Sequence, residues 1–281
     1  MKRLSPSTAS PPNLRLTCVA LLVAISSALA SACGASDATP TRTDAATTTD
    51  AGLGGFSSTP PDGGEGTGIE PVHEDRPLDA GYAFDGATLR ADRFVTRVVS
   101  FTPGACAGFG AAAMPDVVYG PPRGAGDQQG GYDVVSLGVD GEIVLGFDDA
   151  IVDGPGDDFT VFENVFFAGG NPQRPAADLG EVSVSDDGVT WKTYPCDGHA
   201  AAPPYGTCAG WHPVYSNPEN GISPTASNAG GDRFDLATVG LPRARFVRIR
   251  DAHSSDCPSG LPVTNLGFDL DAIVVLNAER P

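Results

Sequence analysis

Five acidic side chains hold most of the chemical interest of this 281-residue chain. Asp157, Asp158 and Glu163 cluster about the apolar stretch Phe159-Thr-Val-Phe-Glu-Asn-Val-Phe166, with Asn164 beside them. Asp269 and Asp271 lie two residues apart on a later stretch. On an extended strand that spacing puts both carboxylates on one face, with Leu270, Ala272, Val274 and Leu276 on the other. Parallel carboxylates repel unless a proton or a cation bridges them. Calcium suits such a set, because it takes about six to eight oxygen ligands from carboxylates, amides and carbonyls. The competing reading has these acids solvated or paired with Arg233, Arg248 and Arg250, and no EF-hand spacing decides between the two.

Glu163 is the odd residue of its stretch. Phe159, Val161 and Val165 share its face, and Phe162 and Phe166 point the other way. A carboxylate in so apolar a strand must be paired, coordinated or near the rim. The same setting would raise its pKa toward that of a general acid, so Glu163, Asp158 and Asp271 are also the acids a hydrolase or lyase would use. Other catalytic signatures are missing: the chain has no Gly-x-Ser-x-Gly, no His-Glu-x-x-His and no Gly-x-x-x-x-Gly-Lys. The Gly-rich stretch Gly120 to Gly131 reads as a loop. These absences favour a protein that does not catalyse.

Cys196-Asp-Gly-His199 and Cys208-Ala-Gly-Trp-His212 have intervals that would suit zinc. The alternative is a Cys196–Cys208 disulfide across a short Gly/Pro-rich loop, which would remove the thiolates zinc requires. Cys106 and Cys257 then pair by elimination, although four cysteines allow three pairings. The loop from Pro195 to Asn228 also holds Tyr205, Trp211 and Tyr215. Aromatic rings among Gly, Pro and Asn would stack on sugar faces, or else cover the edge of the core.

Strands must position all of these groups. With 36 Gly and 25 Pro, turns are frequent and long helices are disfavoured. Phe94 to Phe101, Asp133 to Leu137, Glu142 to Phe147 and Asp158 to Phe167 read as strands. Glu181 to Ser185, Thr190 to Tyr194, Arg245 to Arg250 and Leu270 to Leu276 follow. Ser185-Asp-Asp-Gly188 reads as a hairpin turn, and Trp191 as a core residue. So many short strands predict an all-β, two-sheet antiparallel jelly-roll sandwich over residues 79–281.

The beginning of the chain reads as an export signal over 1–32. A basic start with Lys2, Arg3 and Arg15 precedes the apolar run Cys18 to Ile25, too short for a good membrane span. Ala30-Ser-Ala-Cys33 resembles a bacterial lipobox, with Ala30 where Leu is usual, so Cys33 is expected to carry a lipid anchor. Ordinary cleavage and release is the alternative. Residues 33–78, rich in Ala, Thr, Gly, Asp and Pro, read as a flexible tether. Export to the cell envelope agrees with an even number of remaining cysteines. A formal charge of −18 with only two lysines argues against nucleic acid.

Two runs, Val182-Ser-Val-Ser-Asp-Asp-Gly-Val-Thr-Trp191 and Ala244-Arg-Phe-Val-Arg-Ile-Arg250, resemble hallmark strands of discoidin-like, galactose-binding-like domains. A longer series resembles a family of largely uncharacterised bacterial surface proteins. It runs through Tyr119-Gly-Pro-Pro122, Asp133-Val-Val-Ser-Leu-Gly138, Gly141-Glu-Ile-Val-Leu-Gly-Phe147 and Asp153-Gly-Pro-Gly-Asp-Asp-Phe159. Val161-Phe-Glu-Asn164, Gly231-Asp-Arg-Phe-Asp-Leu236 and Gly267-Phe-Asp-Leu-Asp-Ala-Ile273 complete it. The resemblance implies a galactose-binding-like β-sandwich, a surface role and a structural calcium. The expected function is thus a non-catalytic surface lipoprotein that binds a glycan or a surface protein. A carbohydrate-active hydrolase or lyase, or a purely structural envelope protein, are the alternatives.

Overall fold

Short apolar runs punctuated by Gly and Pro become strands, and their order decides which acids meet. The computed structural model describes residues 81–252, 256–259 and 262–280. The expected signal, the tether and Cys33 lie outside the described residues. The strands are β1 (Gly81–Phe84), β2 (Ala87–Arg90), β3 (Arg97–Thr102), β4 (Val135–Ser136), β5 (Glu142–Val152) and β6 (Phe159–Glu163). They continue with β7 (Phe166–Phe167), β8 (Pro175–Ala176), β9 (Gly180–Ser185), β10 (Lys192–Thr193), β11 (Asp232–Phe234), β12 (Arg243–Asp251) and β13 (Asp269–Val275). Among the described residues the only helical pieces are short 3₁₀ turns, and no helix is long and apolar enough to cross a membrane.

All pairings are antiparallel. One sheet has the order β10-β9-β12-β5-β3 and the other β11-β6-β13-β4, with β1-β2 and β7-β8 as separate pairs. Ile143, Leu145 and Phe147 of β5, Val182 and Val184 of β9, and Val247 and Ile249 of β12 enter one core cluster. Phe159 and Val161 of β6, Phe234 of β11, and Ile273 and Val275 of β13 enter the same cluster from the other sheet. The molecule is therefore all-β with antiparallel sheets sharing a core, compatible with a β-sandwich. A second apolar cluster lies on the reverse of β6 and β13, where Phe162, Ala272 and Val274 meet Phe94 and Val214. Both strands are buried on two faces, and β13 accordingly reads as a nearly continuous apolar run.

Several local expectations change. A register shift between Leu270 and Ala272 marks a β-bulge at Asp271. Leu270 consequently packs in the main core with Ile273 and Val275, while Ala272 and Val274 face the second cluster. Strict alternation from Asp269 to Leu276 fails because the bulge inserts one residue and reverses the parity. The expected tight turn after Ser185 is a longer connection, in which Asp187 accepts hydrogen bonds from the Val189 and Thr190 backbone N–H groups. Trp191 is not a core residue: it is half-buried, with the Arg248 guanidinium 4.6 Å above its ring. The β1–β2 hairpin and β11 went unmarked by periodicity, being only three or four residues each.

Candidate metal centre

The antiparallel pairing of β6 with β13 brings the last residue of one strand beside the first of the other. Glu163 is opposite Leu270, so Asp269 falls within reach of it. Asp178, two residues ahead of β9 in the opposite sheet, completes a trio. Glu163, Asp178 and Asp269 each offer an oxygen, and these atoms lie within 4.8 Å of one another. Glu163 is 1% exposed, and neither of its carboxylate oxygens has a hydrogen-bond partner. Burial pushes its pKa well above the usual range, and the Asp269 and Asp178 charges push it further. The Asp269 backbone N–H offsets part of this from outside hydrogen-bonding geometry. One Asp269 oxygen accepts from Asn164 Nδ2 at 3.2 Å and the other is buried without a partner. Burial, aided by Asp178 and Asp251, raises Asp269 to about 7.

An unsatisfied buried carboxylate costs several kcal/mol unless a proton or a cation neutralises it. An all-oxygen set of three carboxylates with an amide alongside has the chemistry of a hard divalent cation such as calcium, magnesium or manganese. Asn164 lies one residue beyond β6 and links the trio to the surface.

The other acids singled out from the sequence lie elsewhere. Asp271, at the bulge, is buried and accepts the Arg123 backbone N–H at 3.0 and 3.2 Å through its two oxygens. Burial raises its pKa, and Asp133 adds to the effect. Asp271 and Glu163 border one narrow crevice with Gly131 and Asn164. Asp158 belongs to a second carboxylate group, with Asp153 and Asp235. Its oxygens are already occupied: Gly154 N–H and Asn277 Nδ2 donate to Oδ1, and Leu236 N–H to Oδ2, each at 2.8 Å. Such an acid ties three chain segments together. Asp157 is exposed and faces Arg233 at 3.9 Å.

Both cysteine pairs are disulfides, Cys106–Cys257 and Cys196–Cys208, the second with Cα atoms 4.7 Å apart. The zinc reading therefore fails. His212 instead holds Asp232 through Nδ1 at 2.6 Å, while Asp232 also accepts the Gly210 and Trp211 backbone N–H groups. The three loop aromatics form no common platform. Tyr205 is 9% exposed and meets Trp211 edge-on, so its ring is core and unavailable for stacking on a sugar. Trp211 lies against His212 and donates Nε1–H to the Cys208 carbonyl. Tyr215 lines a separate hollow with His212 and Arg233.

A cavity of about 290 Å³ opens directly beside the trio, sharing Asp269 with it and lined also by Asn164, which donates to Asp269. Gln128 and Gln129 of the Gly-rich loop, Tyr132 directly after it and Asn265 supply its polar wall. These residues and Asp178 escaped sequence reasoning. An Asp two residues ahead of a strand gives no local signal of what it faces across a sheet. No protein-family model matches the chain, and no curated protein matches it either.

Proposed function

We propose that this chain is an exported, non-catalytic surface protein whose galactose-binding-like jelly-roll is completed by a divalent cation, calcium foremost. In this reading Cys33 carries a lipid, residues 33–78 hold the domain off the membrane, and the loop face beside the cation binds a glycan or another envelope component. One observation carries the proposal: both Glu163 oxygens are buried without partners, facing the carboxylates of Asp178 and Asp269. Two disulfides accord with an oxidising compartment outside the cytosol. The hydrolase or lyase alternative has less support. The acids it would use, Asp158, Glu163 and Asp271, are 0, 1 and 5% exposed, and the first and last are bound to backbone N–H groups.

Thermal unfolding of the mature protein in chelator and in millimolar calcium tests the reading. A ligand of the native state must raise the melting temperature. The rise should disappear in Glu163→Gln, and no response to any divalent cation in the native protein would end the proposal.

A further inference from the structure

The cavity beside the trio has the chemistry of a ligand site. Its volume of about 290 Å³ is near the small end of ligand clefts, which run to roughly 300–1,000 Å³. Four side-chain amides line it, from Gln128, Gln129, Asn164 and Asn265. A side-chain amide both gives and takes hydrogen bonds, the complement of a hydroxyl. Asn164 Nδ2 already donates to Asp269 and Gly131, and Gln128 Nε2 to Asp127. Asn164 therefore contributes its acceptor, while Gln129 and Asn265 serve as donor and acceptor. Tyr132 borders the cavity and is 84% exposed, one of two large apolar or aromatic residues so open among the described residues. Phe109 and Phe166 add apolar surface. No Lys or Arg lines the cavity, Asp269 contributes a carboxylate, and the whole chain carries −18. Those charges repel an anion. The wall is also closely built: a Cβ at Gly130 would come within 2.8 Å of the Asn164 carbonyl oxygen, so the loop carrying Gln128 and Gln129 lies directly against Asn164.

A ligand that is neutral, rich in hydroxyls, small and apolar on one face matches this lining. The geometry points to a neutral pyranose, with Tyr132 covering its C–H face and the amides holding its hydroxyls. The assignment rests on the cation reading in one respect. Asn164 donates to Asp269, and Asp269 is shared with the trio. A cation that fixes Asp269 also fixes the Asn164 amide, so sugar affinity should rise when calcium is bound. This site lies apart from Trp211, which serves its own loop.

The test uses the mature, calcium-loaded protein on an array of neutral oligosaccharides ending in galactose, mannose or N-acetylglucosamine, with sialylated and sulfated glycans as controls. Calorimetry on the best neutral binder then compares native protein with Tyr132→Ala and Asn265→Ala. The expected result is binding to a neutral glycan that weakens at least tenfold in each variant. Both variants should keep the calcium-dependent rise in melting temperature, since neither residue belongs to the trio. Binding confined to acidic glycans, no binding at all, or variants that bind as the native protein does would overturn the site. A calcium response without sugar binding refutes the sugar site alone. Tyr132-dependent sugar binding without a calcium response sustains the site and refutes the cation.

Discussion

Protons and calcium should compete for the Glu163–Asp178–Asp269 oxygens, so the stabilisation by calcium must depend on pH. Asp269 moves from 3.8 to about 7 on folding, chiefly through burial. A raised pKa means that the native state holds the proton more tightly than the unfolded chain. Its contribution is complete below pH 3.8 and is lost as pH rises through about 7. A shift of about three units corresponds to at most about 4 kcal/mol. Glu163 shifts in the same direction and steepens the loss. At pH 8 the metal-free site thus holds the Asp269 charge against burial, whereas at pH 5 Asp269 keeps its proton. Calcium at a hundred times its dissociation constant would restore about 2.7 kcal/mol at pH 8. For a domain of this size that is a rise of about 5–10 °C.

Differential scanning calorimetry of the mature protein at pH 5 and pH 8, with chelator or with calcium, measures this. In chelator the melting temperature should fall between pH 5 and pH 8. Asp251, raised to about 6, and Asp271 contribute to that fall whether or not a metal binds, so the decisive quantity is the calcium increment. The increment should be several times larger at pH 8 than at pH 5. An equal increment at both pH values, or none at pH 8, would refute the assignment of these oxygens to a cation.

Three further outcomes follow from the same geometry. Asp158→Ala removes the acceptor of the buried Leu236 and half-buried Gly154 backbone N–H groups and of the Asn277 amide, and should cost about 3 kcal/mol in urea unfolding while leaving the calcium increment intact. Replacing Cys196 and Cys208 together by Ser opens a loop of sequence separation 12 and should cost about 3 kcal/mol in the same assay. Trp211→Ala should lower stability by about 2 kcal/mol through its lost packing on Tyr205 and His212, with array binding unchanged; loss of binding there would move the ligand site to that loop.

The two levels of organisation separate clearly at particular residues. Local chemistry is written in the chain itself. Gly and Pro clusters break short apolar runs, and strands formed at Glu142, Phe159, Gly180, Arg243 and Asp269 close to where the runs occur. A short loop between Cys196 and Cys208 sufficed to pair them. Glu163 was recognisable as an anomaly because a carboxylate in the middle of Phe159-Thr-Val-Phe-Glu-Asn-Val-Phe166 cannot be satisfied by its apolar neighbours.

Partnership was not legible in the same way. Asp178 belongs with Glu163 and Asp269 only because the strand it precedes lies in the other sheet. Asp158 left the expected group because backbone N–H groups from Gly154 and Leu236 reached it first. The bulge at Asp271 reverses the alternation expected along β13. Periodicity reports the two faces of one strand, since side chains alternate within it. Which strands pair, and what one sheet presents to another, depends on contacts between residues far apart in sequence. The chain alone therefore determined an acidic, strand-rich protein with one misplaced carboxylate. Tertiary packing decided what that carboxylate faces, and with it where a cation and a sugar would sit.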